Sequence, residues 1–308
     1  MHVLVTGVSG YVGAALAPAL AREGHRVRGF ARSPQRLLAA SVTLEDVVMG
    51  DALTGAGLDD ALQGIDVAYY LIHSMEGPAG GAFPEQERRA ADNFSSAAYD
   101  AGVRRVVYLG GLVPQDGAVS RHLASRLAVE EALLACAPES IALRASIVIG
   151  ARSRSFRFLV RLIERLPVLA LPAWRTNRTA PIDGRDVLAY LIACAGAPAA
   201  LSGRSWDIAG PDVMTYEQLI LRIADGLMIE RPRLGLGFTL TPIASQVAAA
   251  IAGEDPALIE PLMEGLEHDL LPRDDAAAGA FGIRLHSFDA AVERALRDWE
   301  LTEEVAAR

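Results

Sequence analysis

Thr6-Gly7-Val8-Ser9-Gly10-Tyr11-Val12-Gly13 follows the apolar run Val3-Leu4-Val5 and opens an amphipathic pattern that continues to Arg22. A Gly-x-x-Gly-x-x-Gly spacing between a strand and a helix has a definite chemistry. The first glycine permits a tight turn, the second lets backbone amides approach a pyrophosphate, and the third lets the helix pack closely on the strand. The helix N-terminus adds partial positive charge. The turn predicts a bound dinucleotide contacted by Gly7, Ser9, Gly10, Tyr11, Val12 and Gly13.

Outward from this turn, β-rich runs alternate with helical patterns. Strands are predicted at residues 3–6, 26–31, 43–49, 67–72, 105–109 and 141–147, with helices at 12–22, from Pro34, at 58–62, 84–101 and 121–135. Continuous apolar strands separated by helices indicate a parallel sheet covered on both faces, and right-handed crossovers make it doubly wound. The fold class is therefore α/β: a Rossmann-type doubly wound parallel sheet with a small, mostly helical C-terminal substrate lobe. After Gly150 the regularity changes. Arg152, Arg154 and Arg157 lead into a predicted helix at 158–166, and a proline-rich segment follows to Pro181. A helix at 186–195 and a strand-like run at 204–208 are expected to return to the sheet. Residues 211–271 read as mostly helical, and a last helix is predicted at 288–299. Residues 1–150 are the expected dinucleotide-binding core and 151–308 the expected substrate portion of one integrated unit.

The end of the second strand reports on the ribose. A carboxylate there accepts from the 2′-hydroxyl of NAD. This chain has Gly29-Phe30-Ala31-Arg32-Ser33, with Arg36 one turn on. Arginine pairs well with a 2′-phosphate, so NADP(H) is preferred and NAD(H) remains possible. Gly50-Asp51-Ala52 after the third strand places Asp51 and Ala52 near the adenine, although an acid here also suits a turn or a helix cap. Asp183 and Asp186 read as a turn and an N-cap.

The 308 residues carry 29 basic and 38 acidic side chains, a net charge of −9, which disfavours nucleic acid and anionic membranes as partners. All 29 basic residues are arginine. No lysine-dependent chemistry, whether Schiff base, P-loop or Tyr-x-x-x-Lys, is possible. Cys136 and Cys194 are too few for a disulfide framework or a four-ligand zinc site. Glu264, Glu267, His268 and Asp269 have no familiar metal spacing, and no metal is expected. The first residues enter a strand at once, and the apolar stretch 243–252 is too short to span a bilayer. A cytoplasmic location is expected.

The glycine turn, Gly50-Asp51, Tyr69-Tyr70-Leu71-Ile72-His73-Ser74-Met75, Asn93 with Ala101-Gly102-Val103-Arg104-Arg105-Val106-Val107-Tyr108-Leu109, and Trp206-Asp207-Ile208-Ala209-Gly210-Pro211 together resemble one family. It is the atypical, extended short-chain dehydrogenase/reductase superfamily, in its NmrA-like NAD(P)H-binding branch. The resemblance implies bound NAD(P)(H) and a substrate cleft over the nicotinamide. It implies cofactor contacts from Leu71, His73 and Ser74, substrate contacts from Met75, Gly111, Ile147, Trp174 and Asn177, and, by analogy, a possible homodimer. Catalytic members place Ser or Thr after strand five and Tyr-x-x-x-Lys on the next helix. This chain has Leu109-Gly110-Gly111, and His122 and Arg126 at the four-residue spacing that shares one helix face. His122 is then a candidate proton donor near neutral pH, Arg126 a candidate cofactor contact, and His73 a second catalytic candidate. The expected function is an NADP(H)-dependent oxidoreductase acting on a small molecule, with an activated acceptor such as an imine or quinone favoured. A non-catalytic NAD(P)H-binding sensor and, less favoured, an NAD-dependent epimerase or dehydratase are the alternatives.

Overall fold

The computed structural model describes residues 1–72, 83–115, 121–237 and 265–303. β1 (His2–Thr6) and β2 (Arg26–Ala31) flank α1 (Tyr11–Arg22), and α2 (Pro34–Ala39) leads to β3 (Asp46–Met49). α3 (Leu58–Leu62), β4 (Val67–Tyr70), α4 (Phe83–Asp100), β5 (Arg105–Gly111), α5 (Arg121–Ala135) and β6 (Ile141–Ala145) complete the first half. The second half comprises β7 (Val148–Ile149), α6 (Arg154–Arg165), β8 (Leu169–Leu171), β9 (Arg178–Thr179), β10 (Ile182–Asp183) and α7 (Gly184–Ala195). It continues through β11 (Arg204–Ile208), β12 (Met214–Thr215), α8 (Tyr216–Gly226) and β13 (Arg233–Gly235), and its last helices are α9 (Ala276–Phe281) and α10 (Phe288–Glu300).

Seven strands form one sheet in the order β11-β6-β5-β4-β1-β2-β3, and every pair in it is parallel. The chain winds outward from β1 to β3, then returns beside β1 as β4 and winds the other way. The strand order thus reverses between β1 and β4, where a crevice opens at the carboxyl ends of such sheets. α1 and α7 cover one face, over a core of Val3, Val5, Leu16, Leu20 and Leu191. α3, α4 and α5 cover the other, over Leu4, Phe30, Tyr70, Phe94 and Leu133. A third core gathers α6, α8 and α10 around Phe156, Leu219, Ile223, Leu296 and Trp299.

Several boundaries differ from the sequence reading. The run 141–147 splits, because Ser146 donates its N–H to Ile208 O (3.1 Å) and Val148–Ile149 pairs with β10 instead of extending the main sheet. α6 starts four residues early, at Arg154, and β3 starts at Asp46. Asp183 is the N-cap of α7, accepting from Arg185 N–H (2.7 Å). Asp186 instead holds the C-terminal segment, accepting from His286 N–H (2.9 Å) and facing its Nδ1 (2.6 Å).

A buried arginine joins the two halves. Arg105, 1% exposed, donates to the carbonyls of Cys194, Ala195 and Ala197 at the end of α7 and to Glu139. Cys194 O also accepts from Ala197 N–H (3.4 Å), and the guanidinium completes the bonding of this helix end while meeting the negative end of the helix dipole. Tyr69 OH adds a bond to Leu191 O (2.8 Å). Among the described residues, no helix is long and apolar enough to cross a membrane.

Candidate active site

The site begins at the carboxyl end of β1. The buried Thr6 hydroxyl donates to Tyr69 O (2.9 Å) and accepts from Leu71 N–H (3.1 Å), stapling β1 to β4 at the reversal point. Gly7 follows with φ +61°, and a β-carbon there would stand 2.6 Å from Leu71 O. Gly10 N–H closes the turn on Gly7 O (2.8 Å), and a β-carbon at Gly13 would collide with that same carbonyl. Gly10 caps α1 with no side-chain hydrogen bond. The first-turn amides of α1 have no intrahelical acceptors, and no capping side chain stands over them. A cradle that a single methyl would fill, lined by open amides, fits a dinucleotide pyrophosphate.

One cavity of about 990 Å³ runs from this turn across the sheet edge into the second half of the chain. Gly7, Ser9, Gly10, Tyr11, Val12 and Gly13 line it, as do Arg32 just after β2 and Arg36 in α2. Asp51, Ala52, Leu71, Arg126, Gly111 and Ile147 are on its wall as well. Trp174 and Asn177 are placed elsewhere. Trp174 is buried in the third core with its ring edge-on to Tyr216, and Asn177 Nδ2 donates to Leu266 O (2.8 Å). These two residues shape the lobe from behind. His73, Ser74 and Met75 lie outside the described residues. His122 is in the first turn of α5, and its side chain is likewise outside them.

Each part of the wall has a local cause. Asp51 Oδ1 accepts from Leu53 N–H (2.9 Å), so the carboxylate shapes its own loop. Asn93 on α4 donates to Ala52 O and Leu53 O, holding that loop against the cavity. At the end of β5 the wall offers Gly110, Gly111 and Leu112, with no side-chain hydroxyl among them. Burial raises the pKa of Glu87, while Arg126 and a bond from Ser125 Oγ (3.0 Å) work against the shift. Burial also raises Tyr11 to about 12, helped by the Asp183 and Asp298 charges and opposed by Arg152. Its hydroxyl occupies a slot between Gly150 and Gly184, where a β-carbon on either glycine would collide with it. Leu159, Leu266, Leu270 and Tyr216 also line the cavity. The sequence offered no signal for them, because they reach the wall only through packing between segments far apart in the chain. The described residues contain no group of three or more His, Cys, Asp or Glu suited to a metal, and Asp269 is engaged by Arg178.

The NAD(P)H-binding family matches residues 7–135. Ceramide reductase of Caulobacter vibrioides is 29% identical over 233 residues, 75% of this chain and 72% of that protein. The mitochondrial NADH dehydrogenase (ubiquinone) 1 alpha subcomplex subunit 9 of Arabidopsis thaliana is 26% identical over 252 residues, 80% of this chain and 62% of that one, just under two thirds of its length. The fold is shared with the crystal structure of UDP-glucuronic acid 4-epimerase from Bacillus cereus in complex with UDP-glucuronic acid and NAD. The TM-score is 0.72 at 16% identity, over 98% of this chain and 100% of the other. The glycine cradle and these likenesses lead to one conclusion: residues 7–135 form an NAD(P)H-binding domain that takes a nicotinamide dinucleotide, and the chain is similar to extended short-chain dehydrogenase/reductases.

Proposed function

We propose that this protein is an NADP(H)-dependent oxidoreductase acting on a small organic substrate. The observation that carries the reading is the single cavity joining the glycine turn and Arg32 at one end to Gly111, Ile147 and Leu159 at the other. The relative named ceramide reductase supports a redox reaction. The nicotinamide, when bound, supplies or accepts a hydride at its C4. This chain's residues do the rest. The α1 amides hold the pyrophosphate. Arg32, with Arg36 beside it, takes a 2′-phosphate through a planar fork, and no carboxylate at the end of β2 opposes that charge. Arg126, on the wall, reaches the ribose where short-chain dehydrogenase/reductases use lysine. The apolar lining beyond Gly111 excludes water from the reacting atoms.

The proton is the harder part. Without tyrosine and lysine on α5, an ordinary ketone lacks its usual acid. His122 is our candidate donor and His73 the second. An iminium already carries positive charge, and a quinone can take its proton from water, so an activated acceptor asks least of this site. Gly110-Gly111 in place of a hydroxyl, and the lack of any lysine, favour a second reading: an NAD(P)H-binding sensor that does not turn over. The epimerase or dehydratase alternative leans hardest on the missing base.

Calorimetric titration with NADPH and NADH, followed by a turnover screen against quinones, imines and carbonyls, tests the proposal. NADPH preference with turnover is expected. Tight binding without turnover across the screen would transfer the conclusion to the sensor, and no binding of either nucleotide would overturn both.

A further inference from the structure

Gly111 stands where catalytic short-chain dehydrogenase/reductases place a serine or threonine, and the space beside it is open. A β-carbon there would meet nothing nearer than Ala145 O, 4.0 Å away. A hydroxyl is nevertheless close by, on the neighbouring strand. Gly111 pairs in register with Ala145, and the next residue is Ser146, on the wall of the same cavity. The chain leaves the main sheet at Ser146, whose N–H goes to Ile208 O. The serine is thereby held at the carboxyl edge of the sheet, where ligands bind.

Behind Ser146, itself 8% exposed, a line of hydroxyls runs into the core. Its Oγ is 3.3 Å from Oγ1 of Thr179, which is fully buried. Thr179 is fixed by the pairing of β9 with β12, where Met214 stands opposite, and by a bridge to Leu270. Tyr216 follows β12 directly. Its N–H donates to Asn177 O (3.0 Å), and its ring is edge-on to Trp174. Its hydroxyl is buried and closes no hydrogen bond of normal geometry; the hydroxyl that interacts with it is that of Thr179. This sets the direction of the line, because a hydroxyl has one proton to give. Among the described residues Thr179 is the acceptor open to Tyr216. Thr179 then gives its own proton to Ser146, and the proton of Ser146 is left for the cavity. A chain polarised this way strengthens its last donor.

We propose that Ser146 donates a hydrogen bond to a carbonyl oxygen of the substrate, a quinone or a ketone, with Thr179 and Tyr216 behind it as positioning residues. This deepens the oxidoreductase reading and rests on it. It also chooses between the two activated acceptors: a quinone oxygen has lone pairs to accept the bond, and an iminium nitrogen has none. When the carbonyl carbon receives the hydride, the π pair of the C=O bond moves to the oxygen, where a donor already aimed stabilises the charge. The three hydroxyls lend a hydrogen bond and no net proton, since giving one up would strand a phenolate at Tyr216, which burial disfavours. The proton that completes the product comes from His122, the donor proposed, or from water.

Phenanthrenequinone and its hydrocarbon, phenanthrene, are the probes. Both are titrated into the full chain loaded with NADP+, which has no hydride to deliver. Ser146→Ala is expected to weaken the quinone about three- to tenfold, the worth of one net hydrogen bond, and to leave phenanthrene and NADP+ unchanged. The infrared carbonyl stretch of the quinone should fall on binding to the wild type and return in the variant. Tyr216→Phe keeps the ring, removes the proton at the far end of the line and should return the stretch part of the way; it reads the same line if Ser146→Ala does not fold. With NADPH, Ser146→Ala should lower kcat for the quinone about 100-fold, well beyond the change in KM, and Ser146→Thr, which keeps the hydroxyl, should restore most of it. A quinone that does not bind, a stretch that neither variant moves, or an equal loss for both probes would overturn the proposal. So would a loss of NADP+ affinity in Ser146→Ala, which would assign the hydroxyl to the cofactor. A wild-type chain that binds no nucleotide, or that binds the quinone with a shifted stretch and does not reduce it, would overturn the oxidoreductase reading instead. The titration without nucleotide still reads the oxygen contact.

Discussion

The two ends of the cavity are built from different materials. At the glycine turn the working groups are backbone: the Gly7 carbonyl, the α1 amides and three glycines within seven residues. At the other end they are side chains, brought from β7, α6, α8 and the segment near Leu270. A backbone device is written in consecutive residues and tolerates no substitution. A side-chain wall is written across the whole chain, and many compositions would fill the same space. The first end therefore specifies a ligand from sequence alone, and the second can be read only once the chain is folded.

The largest expected effect is at the joint between the halves. Arg105→Leu removes the side-chain donor to the Cys194, Ala195 and Ala197 carbonyls and one of the two arginines on Glu139, Arg104 remaining. Leaving a buried carbonyl without its donor costs about 1–3 kcal/mol, and we expect a loss of about 3 kcal/mol in urea unfolding. A change below about 1 kcal/mol, the worth of an exposed ion pair, would mean that the halves hold together without this arginine. The next effect is local to the turn. Gly7→Ala forces a non-glycine residue to φ +61° and drives a methyl against Leu71 O. Strain of about 1–3 kcal/mol predicts NADPH binding weaker by roughly 10- to 100-fold in calorimetry. Unchanged affinity would break the claim that backbone geometry makes this end specific.

Legibility followed the same division. The bounds of β2, α3, α5 and β11 match the sequence reading because apolar runs and turn residues mark them on both sides. Every turn residue singled out as a cofactor contact lines the cavity. Trp174 and Asn177 sit in the expected loop, yet the loop turns them inward. Trp174 packs on Tyr216, which is 42 positions later, and nothing in the segment Pro172 to Pro181 encodes that meeting. The Arg152–Arg157 run shows the limit most clearly. Residue type was visible, but which arginines face the cavity depends on where Glu303 and Trp299 arrive from the far end of the chain.

A smaller effect sharpens the nucleotide choice. Arg32→Asp replaces the fork that we assign to the 2′-phosphate with a ribose-type acceptor. We expect NADPH affinity to fall about tenfold or more, the worth of one charge-assisted hydrogen-bonded contact, while NADH affinity is unchanged or improves. Equal losses for both nucleotides would place Arg32 on the shared part of the cofactor.

The smallest effect is at Tyr11, where the two ends meet. Its phenol is raised to about 12, from an ordinary 10, chiefly by burial. The folded protein therefore favours the protonated form. The stability this confers is full below pH 10 and is lost as the pH rises through 12, because the unfolded chain releases the proton first. Tyr11→Phe keeps the ring in its slot and removes the titration. It should flatten part of the stability loss between pH 10 and 12, and remove one of two phenolate transitions near 12, the other belonging to Tyr190. Catalysis gives the sharper contrast. A phenol with so high a pKa is a poor acid at neutral pH, where the best donors have pKa values close to the working pH. Turnover in Tyr11→Phe should then keep the wild-type pH profile, whereas His122→Ala should change it. If the phenylalanine variant lost the acidic or basic limb of that profile, Tyr11 would be a proton donor, and the junction of the two ends would be the reacting centre.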